Sequence, residues 1–210
     1  MFRNHSAYSF FAVAQVVLAL SLPMAALAQS EGRGPDTPAV PANIEVPDGY
    51  ALFFKAHAVG SQNYVCLPTA SGASWGFVGP QATLFDSVRG QIRQQLTTHF
   101  LSSNPAENGV PRPTWQHSFD SSRVWGKAIA SSSDVNFVEA GAIPWLLLQA
   151  IGTASGPTGG FVLTQTAFIH RVNTSGGIAP ATGCSSANIG AVALVPYSAD
   201  YLFYRAQRDN

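Results

Sequence analysis

Residues 52–66 read Leu52-Phe53-Phe54-Lys55-Ala56-His57-Ala58-Val59-Gly60-Ser61-Gln62-Asn63-Tyr64-Val65-Cys66. Leu52, Phe54, Ala56 and Ala58 alternate with Phe53, Lys55, His57 and Val59, and a period of two is the signature of a strand with two unlike faces. Gly60 is read as the end of that strand. Gln62, Tyr64 and Cys66 then face one way while Asn63 and Val65 face the other, which predicts a second strand joined to the first by a hairpin.

The same grain runs outward from this stretch. Short apolar pieces at Ala73–Val78, Ala82–Phe85 and Val88–Phe100 are separated by Gly, Pro or Asp, as in a meander or sandwich. Leu101 to Thr114 holds Pro105, Gly109, Pro111 and Pro113 and is expected to be a surface loop, because proline offers no backbone donor. Val124–Ala130 predicts a strand. Ile143-Pro144-Trp145-Leu146-Leu147-Leu148 is a continuous apolar run suited to burial on both faces. Phe161–Val172 is the longest strand-like segment, bounded by Gly159-Gly160 and Gly176-Gly177. Ala191–Val195 and Ala199–Ala206 close the chain, with Tyr201 and Phe203 opposite Leu202 and Tyr204. About nine to eleven strands and no long amphipathic helix result. The expected fold is all-β, a two-sheet β-sandwich or a distorted barrel.

The amino terminus belongs to another class of segment. Arg3 and His5 precede an apolar run from Phe10 to Leu22, then Pro23 and Ala26-Leu27-Ala28 before Gln29; this is the three-part pattern of an export signal over residues 1–28. Ala12 to Leu22 is about half of the roughly 20 residues a bilayer span needs, so no membrane span is expected in the mature chain. Residues 29–43, rich in Gly, Pro, Glu, Asp and Ala, are expected to form a flexible leader, and 44–210 a single β domain in the periplasm or outside the cell.

Charged residues are only 10% of the chain against 46% hydrophobic, and the formal net charge is zero. Without a run of Lys or Arg, nucleic acid is not an expected partner. The two cysteines, Cys66 and Cys184, are most simply one disulfide in an oxidising compartment. Closing a loop of more than about 100 residues is worth roughly 4 to 5 kcal/mol on the chain-entropy account.

Taken together, Val46-Pro47-Asp48-Gly49, Gly60 through Cys66, Gly79-Pro80-Gln81-Ala82-Thr83-Leu84-Phe85-Asp86, Ile143 through Leu148, Arg171-Val172-Asn173-Thr174-Ser175-Gly176-Gly177-Ile178-Ala179-Pro180 through Cys184, and Val195-Pro196-Tyr197-Ser198-Ala199-Asp200-Tyr201-Leu202-Phe203-Tyr204 resemble a family of small secreted proteins of bacteria and filamentous fungi, a domain of unknown function. The resemblance spans nearly the whole mature chain and implies no agreed activity. Some members carry a dehydrogenase-like label, but no G-x-G-x-x-G lies here between a strand and a helix. Where the family pattern sets a His-aromatic pair a few residues before Pro-Thr-Trp and an Asp-Gly-Ser turn, this chain separates His99-Phe100 from Pro113-Thr114-Trp115 and turns on Asp120-Ser121-Ser122. Serine in place of glycine makes a positive φ less comfortable.

Two imidazoles, a carboxylate and indoles flank that segment. His99, His117 and Asp120 could supply a zinc or non-haem iron ligand set; alternatively His117 could act as base, oriented by Asp120, with a nearby serine as nucleophile. Against both stands a plain Asx turn at Asp120, with no H-x-H or G-x-S-x-G to fix the geometry. His57 and His170 read as structural. Trp115 and Trp125 beside His99 and His117 are candidates for ligand contact as well as for core packing, and Trp145 belongs to the core. Asp200, unusual within a strand, could pair with Arg171 or Arg205. Three functions remain open: a non-catalytic exported module binding a small molecule, glycan or envelope component; a metal-dependent or hydrolytic enzyme centred on His99, His117 and Asp120; and a structural surface protein. No cofactor is predicted.

Overall fold

The computed structural model describes residues 37–88 and 91–207, so the expected export signal at 1–28 lies outside the described residues. Eight antiparallel strands follow one another: β1 Tyr50–Thr69, β2 Gly72–Val88, β3 Gln91–Asn104, β4 Val110–His117, β5 Arg123–Ser132, β6 Trp145–Ala154, β7 Phe168–Gly176 and β8 Val192–Ala206. Each pairs with the next and β8 returns to β1, which closes a barrel. Among the described residues the only helical elements are short 3₁₀ turns.

The strands are fewer and longer than the punctuation suggests. Gly60 does not end β1: it lies inside the strand opposite Ala82, where an added Cβ would overlap the Gln81 carbonyl and stand 2.6 Å from the Ala82 Cβ. The glycine therefore permits close approach of two strands. The expected loop at Leu101–Thr114 is instead the end of β3, a tight turn and β4, with Leu101 opposite Pro113 and Ser103 opposite Pro111. Alternation explains why two prolines fit. The His117 N–H points toward β5, donating to Ser122, so Trp115, Pro113 and Pro111 face the same side. β5 reaches only Thr114–Gln116, and the missing proline donors face no strand. At the turn, Arg112 grips Glu107 through two hydrogen bonds of 2.8 and 2.7 Å. The strand expected from Phe161 starts only at Phe168; residues Val162–Gln165 form a 3₁₀ turn held by side chains from across the barrel.

Two apolar layers result. Inside, Ala56, Ala58, Ala82 and Ala199 leave room for Trp115, Tyr201, Phe203, Leu84 and Ile169. Outside, Trp145, Leu147, Phe168, Leu202 and Tyr204 lie beneath Ile44, Val138 and Ala142. The Ile143–Leu148 run is thus covered on both faces, as its composition requires. Val40 packs on the outer layer, Pro41 is buried and Asn43 donates to the Ser131 carbonyl at 2.8 Å; this end of the expected leader is docked. Cys66 and Cys184 form the disulfide, with Cα atoms 5.3 Å apart across 118 residues of sequence.

Replacing Gly60 by Ala is expected to lower stability by about 1–3 kcal/mol through overpacking against the β2 backbone, read from the midpoint of guanidinium unfolding.

Candidate functional site

Strands β3 and β4 carry the polar residues singled out by sequence, but not in one cluster. In their ladder Thr97 lies opposite His117 and His99 opposite Trp115, so all four share the inner face. The His99 ring stacks on the Trp115 indole, centroids 4.3 Å apart and planes 8° off parallel, and its Nδ1–H donates to the Thr114 carbonyl at 2.9 Å. Burial pushes the imidazole down to about 3, against the opposing pull of that carbonyl. His99 is neutral and packed within the barrel, and it is also among the residues that border a surface cleft. Trp115 is 1% exposed and its Nε1 finds no protein partner. Trp125 is buried on the other face, its Nε1 donating to Ser102 at 2.9 Å.

His117 and Asp120 do come together. The His117 Nδ1–H donates to Asp120 Oδ1 at 3.0 Å, and the same oxygen accepts from the Ser122 N–H at 2.9 Å and the Ser122 hydroxyl at 2.7 Å. Asp120 Oδ2 accepts from the Val162 N–H at 2.9 Å, and Ser122 Oγ accepts from the Leu163 N–H at 3.0 Å. Burial would raise the Asp120 carboxyl, but the Ser122 hydroxyl, the Val162 and Ser122 amides and the neighbouring imidazole outweigh it and hold the carboxyl well below its ordinary value. Gly160 lies against the Asp120 side chain, where a Cβ would stand 2.7 Å from its carboxyl carbon.

This network joins the β4–β5 turn to the 3₁₀ turn that closes one barrel end. The Ser122 proton goes to the carboxylate and not to His117, and Ser122 is fully buried, so Ser122 is held as part of the turn. Among the described residues no three His, Cys, Asp or Glu side chains form a group able to hold a metal.

The other candidates settle elsewhere. Asp200 pairs with His57 at 2.8 Å, Lys55 at 3.7 Å and Asn173 at 2.9 Å on the outer face. Arg171 instead donates to the Pro144 carbonyl, and Arg205 to Gln165. His170 donates through Nε2 to the Ile44 carbonyl and accepts from the Tyr204 hydroxyl.

A feature not anticipated from sequence is a cleft of about 880 Å³ on the outer side of β1, β2 and β3, lined by Val59, Ser61, Val78, Gln81, Thr98 and Phe100 among others. It opens where β2 and β3 part company, since their pairing begins only at Ala82 opposite His99. No Asp, Glu, Lys or Arg lines it. The signal for it is hidden in the length of β1 and β2, since Gly60 and the break between Val78 and Ala82 make each look like two short strands.

Residues 47–205 match the model of a family described as a protein of unknown function, DUF3455. The chain belongs to this family. The matched span takes in all but the last residue of the barrel strands, the disulfide and the Asp120 network. No curated protein and no solved structure matches the chain. The turn in which this chain carries Ser121 is indeed left-handed, at φ 58°.

Ser121→Gly is therefore expected to raise stability by up to about 1 kcal/mol, the relief of a left-handed φ less the added freedom of the unfolded chain, measured by thermal unfolding. Acid behaviour follows from His99. Its folded value lies below the ordinary 6.5, so the unfolded chain gains the proton first as pH falls. Stability should drop between about 6.5 and 3, by up to about 1.4 kcal/mol per pH unit from this residue. His99→Gln, which keeps a donor for Thr114, should flatten that slope in urea titrations from pH 7 to 4; an unchanged slope would assign it elsewhere.

Proposed function

We propose that this family member is an exported, non-catalytic binding module that takes an uncharged ligand in the cleft over β1, β2 and β3. The carrying observation is the cleft's lining: hydroxyl and amide side chains from Ser61, Asn63, Gln81, Thr83 and Thr98 stand beside Val59, Val78, Phe100 and Leu101, with no formal charge. Such a mixture selects hydrogen-bonding ligands with apolar surface and gives no compensation for burying an ion. The closed, disulfide-tied barrel supports the cleft on strands whose inner faces are packed, which limits the ordering cost of binding. A disulfide fits an oxidising compartment, and no helix among the described residues is long and apolar enough to cross a membrane.

Against the hydrolytic alternative, Asp120 and Ser122 spend their hydrogen bonds on holding backbone amides of the 3₁₀ turn. Titration of ¹⁵N-labelled protein with maltoheptaose, uncharged capped peptides and acidic or basic counterparts tests the reading. Uncharged probes should shift the amides of Val59, Ser61, Gln81, Thr98 and Phe100, with binding unchanged in His117→Ala. Shifts centred on the β4–β5 turn, or probe hydrolysis lost in His117→Ala, would overturn it.

A further inference from the structure

We infer that the barrel interior holds a second site, which takes a small carboxylate: Arg171 is its charged partner, and Tyr197, Tyr201 and Gln62 supply further hydrogen-bond donors. Alternation along β7 aims Arg171 inward. Ile169 belongs to the inner apolar layer and Val172 to the outer one, so Arg171 shares the face of Ile169. Its cross-strand neighbours, Tyr201 on β8 and Leu146 on β6, both pack in the inner layer.

A cation turned into a barrel calls for an answering charge, because a guanidinium does not shed its own on burial. Arg171 forms no ion pair among the described residues; the acids that do, Glu107, Asp120 and Asp200, pair with Arg112, His117, and His57 and Lys55. Its Nε and Nη2 both donate to the single carbonyl of Pro144, at 3.2 and 2.8 Å. That oxygen is uncharged and takes one side of the group. The rest of the fork of N–H donors matches a carboxylate, and the side chain is only partly buried, so a solute can reach it.

The groups around it are donors as well. Tyr197 and Tyr201 are 4% and 1% exposed, with hydroxyl oxygens 3.5 Å apart. Burial pushes both hydroxyls up, against the pull of the Arg171 charge, so both keep their protons. One proton can serve the neighbouring hydroxyl, which leaves the other for an acceptor that the protein does not supply. Gln62 lies beside Tyr197, is 2% exposed, and its Nε2 has no hydrogen-bond partner; buried amides are rarely left in that state. The chain closes over these side chains at Gly177, where an added Cβ would stand 3.0 Å from the Tyr197 Cβ and 3.1 Å from the Gln62 Cγ. The Tyr64 hydroxyl holds that crossing by donating to the Gly177 carbonyl at 2.7 Å.

Donors gathered about a cation with no acid among them select an anion, and the planar fork favours a carboxylate over a spherical halide. An eight-stranded barrel encloses packed side chains or one small ligand, which limits the occupant to a short acid. This site differs in chemistry from the outer cleft, whose lining carries no formal charge.

The experiment is NMR titration of the disulfide-intact protein, labelled with ¹⁵N-arginine, using sodium acetate, sodium butyrate, acetamide, butyramide and sodium chloride. Acetate or butyrate should shift the Arg171 Nε–H resonance saturably, with a dissociation constant of about 1 mM or tighter. The uncharged amides and chloride should bind at least about tenfold more weakly. Arg171→Lys keeps the charge without the fork and should weaken acid binding by about tenfold or more; Tyr201→Phe, which keeps the ring, should weaken it by a smaller factor. Melting temperatures confirm that each variant folds. An Arg171 resonance that no acid moves, acids that perturb only the outer cleft, chloride or the amides binding as well as the acids, or unchanged binding in Tyr201→Phe and Arg171→Lys would each overturn the site.

Discussion

Closure of β8 onto β1 is the constraint on which the rest of the molecule depends. The ladder runs from Tyr50 opposite Ala206 to Val65 opposite Val192, the longest seam in the barrel. It joins the two ends of the folded chain, so the cost of bringing distant segments together is met once and every other pairing is between sequence neighbours. Closure also removes the outer edges that an open eight-stranded sheet would leave. Some inward positions of β8 and β1 must then be small to make room for the large ones. Ala56, Ala58 and Ala199 sit at mid-barrel so that Trp115, Tyr201 and Phe203 can reach across and meet with ring centroids 5.4 and 5.9 Å apart.

What the sequence made legible followed from alternation and composition. Tyr201 and Phe203 against Leu202 and Tyr204 was read as two faces, and the inner and outer apolar layers divide along that line. The cysteine pair and the doubly covered run at Ile143–Leu148 were legible for similar reasons. Errors arose where a residue type usually taken as a breaker serves contact geometry instead. Gly60 allows β1 to touch β2, and Pro111 and Pro113 occupy positions whose donors would face no strand. The 3₁₀ turn at Val162–Gln165 lies in a stretch rich in strand-forming residues, and hydrogen bonds to Asp120 and Ser122 hold it out of the sheet.

The candidate site illustrates the same limit. Sequence placed His117 near Asp120 because they are three residues apart, and the contact exists. It had no way to show that Asp120 Oδ2 and the Ser122 hydroxyl answer backbone donors more than 40 residues away. Those bonds make the turn a clamp on the 3₁₀ segment. The clamp accounts for a non-glycine residue tolerating φ 58° at Ser121: the flanking carboxylate and hydroxyl over-determine the turn, and the local cost is offset by satisfied amides.

Strand lengths then explain why a cleft exists at all. β1 and β2 have 20 and 17 residues, while β4 has only 8. A closed ring can keep all its strands paired only over the length its shortest members supply, so the surplus of the β1–β2 hairpin must project beyond the ring. β3 at its far end stays with β4, whose hairpin leans toward β6 through Asn104, the carboxamide neighbour of Gly152. The two hairpins thus diverge from a common base, and the fork between them is a consequence of unequal strands. A free hairpin of this length would fray, since two strands alone are marginal in water. Here the disulfide from Cys66 to Cys184 and the Trp75 bond to Thr182 tie the projecting part to the loop before β8. The cross-link therefore sits at the very end of the β8–β1 seam, where Cys66 also exchanges hydrogen bonds with Ala191 and Gly190.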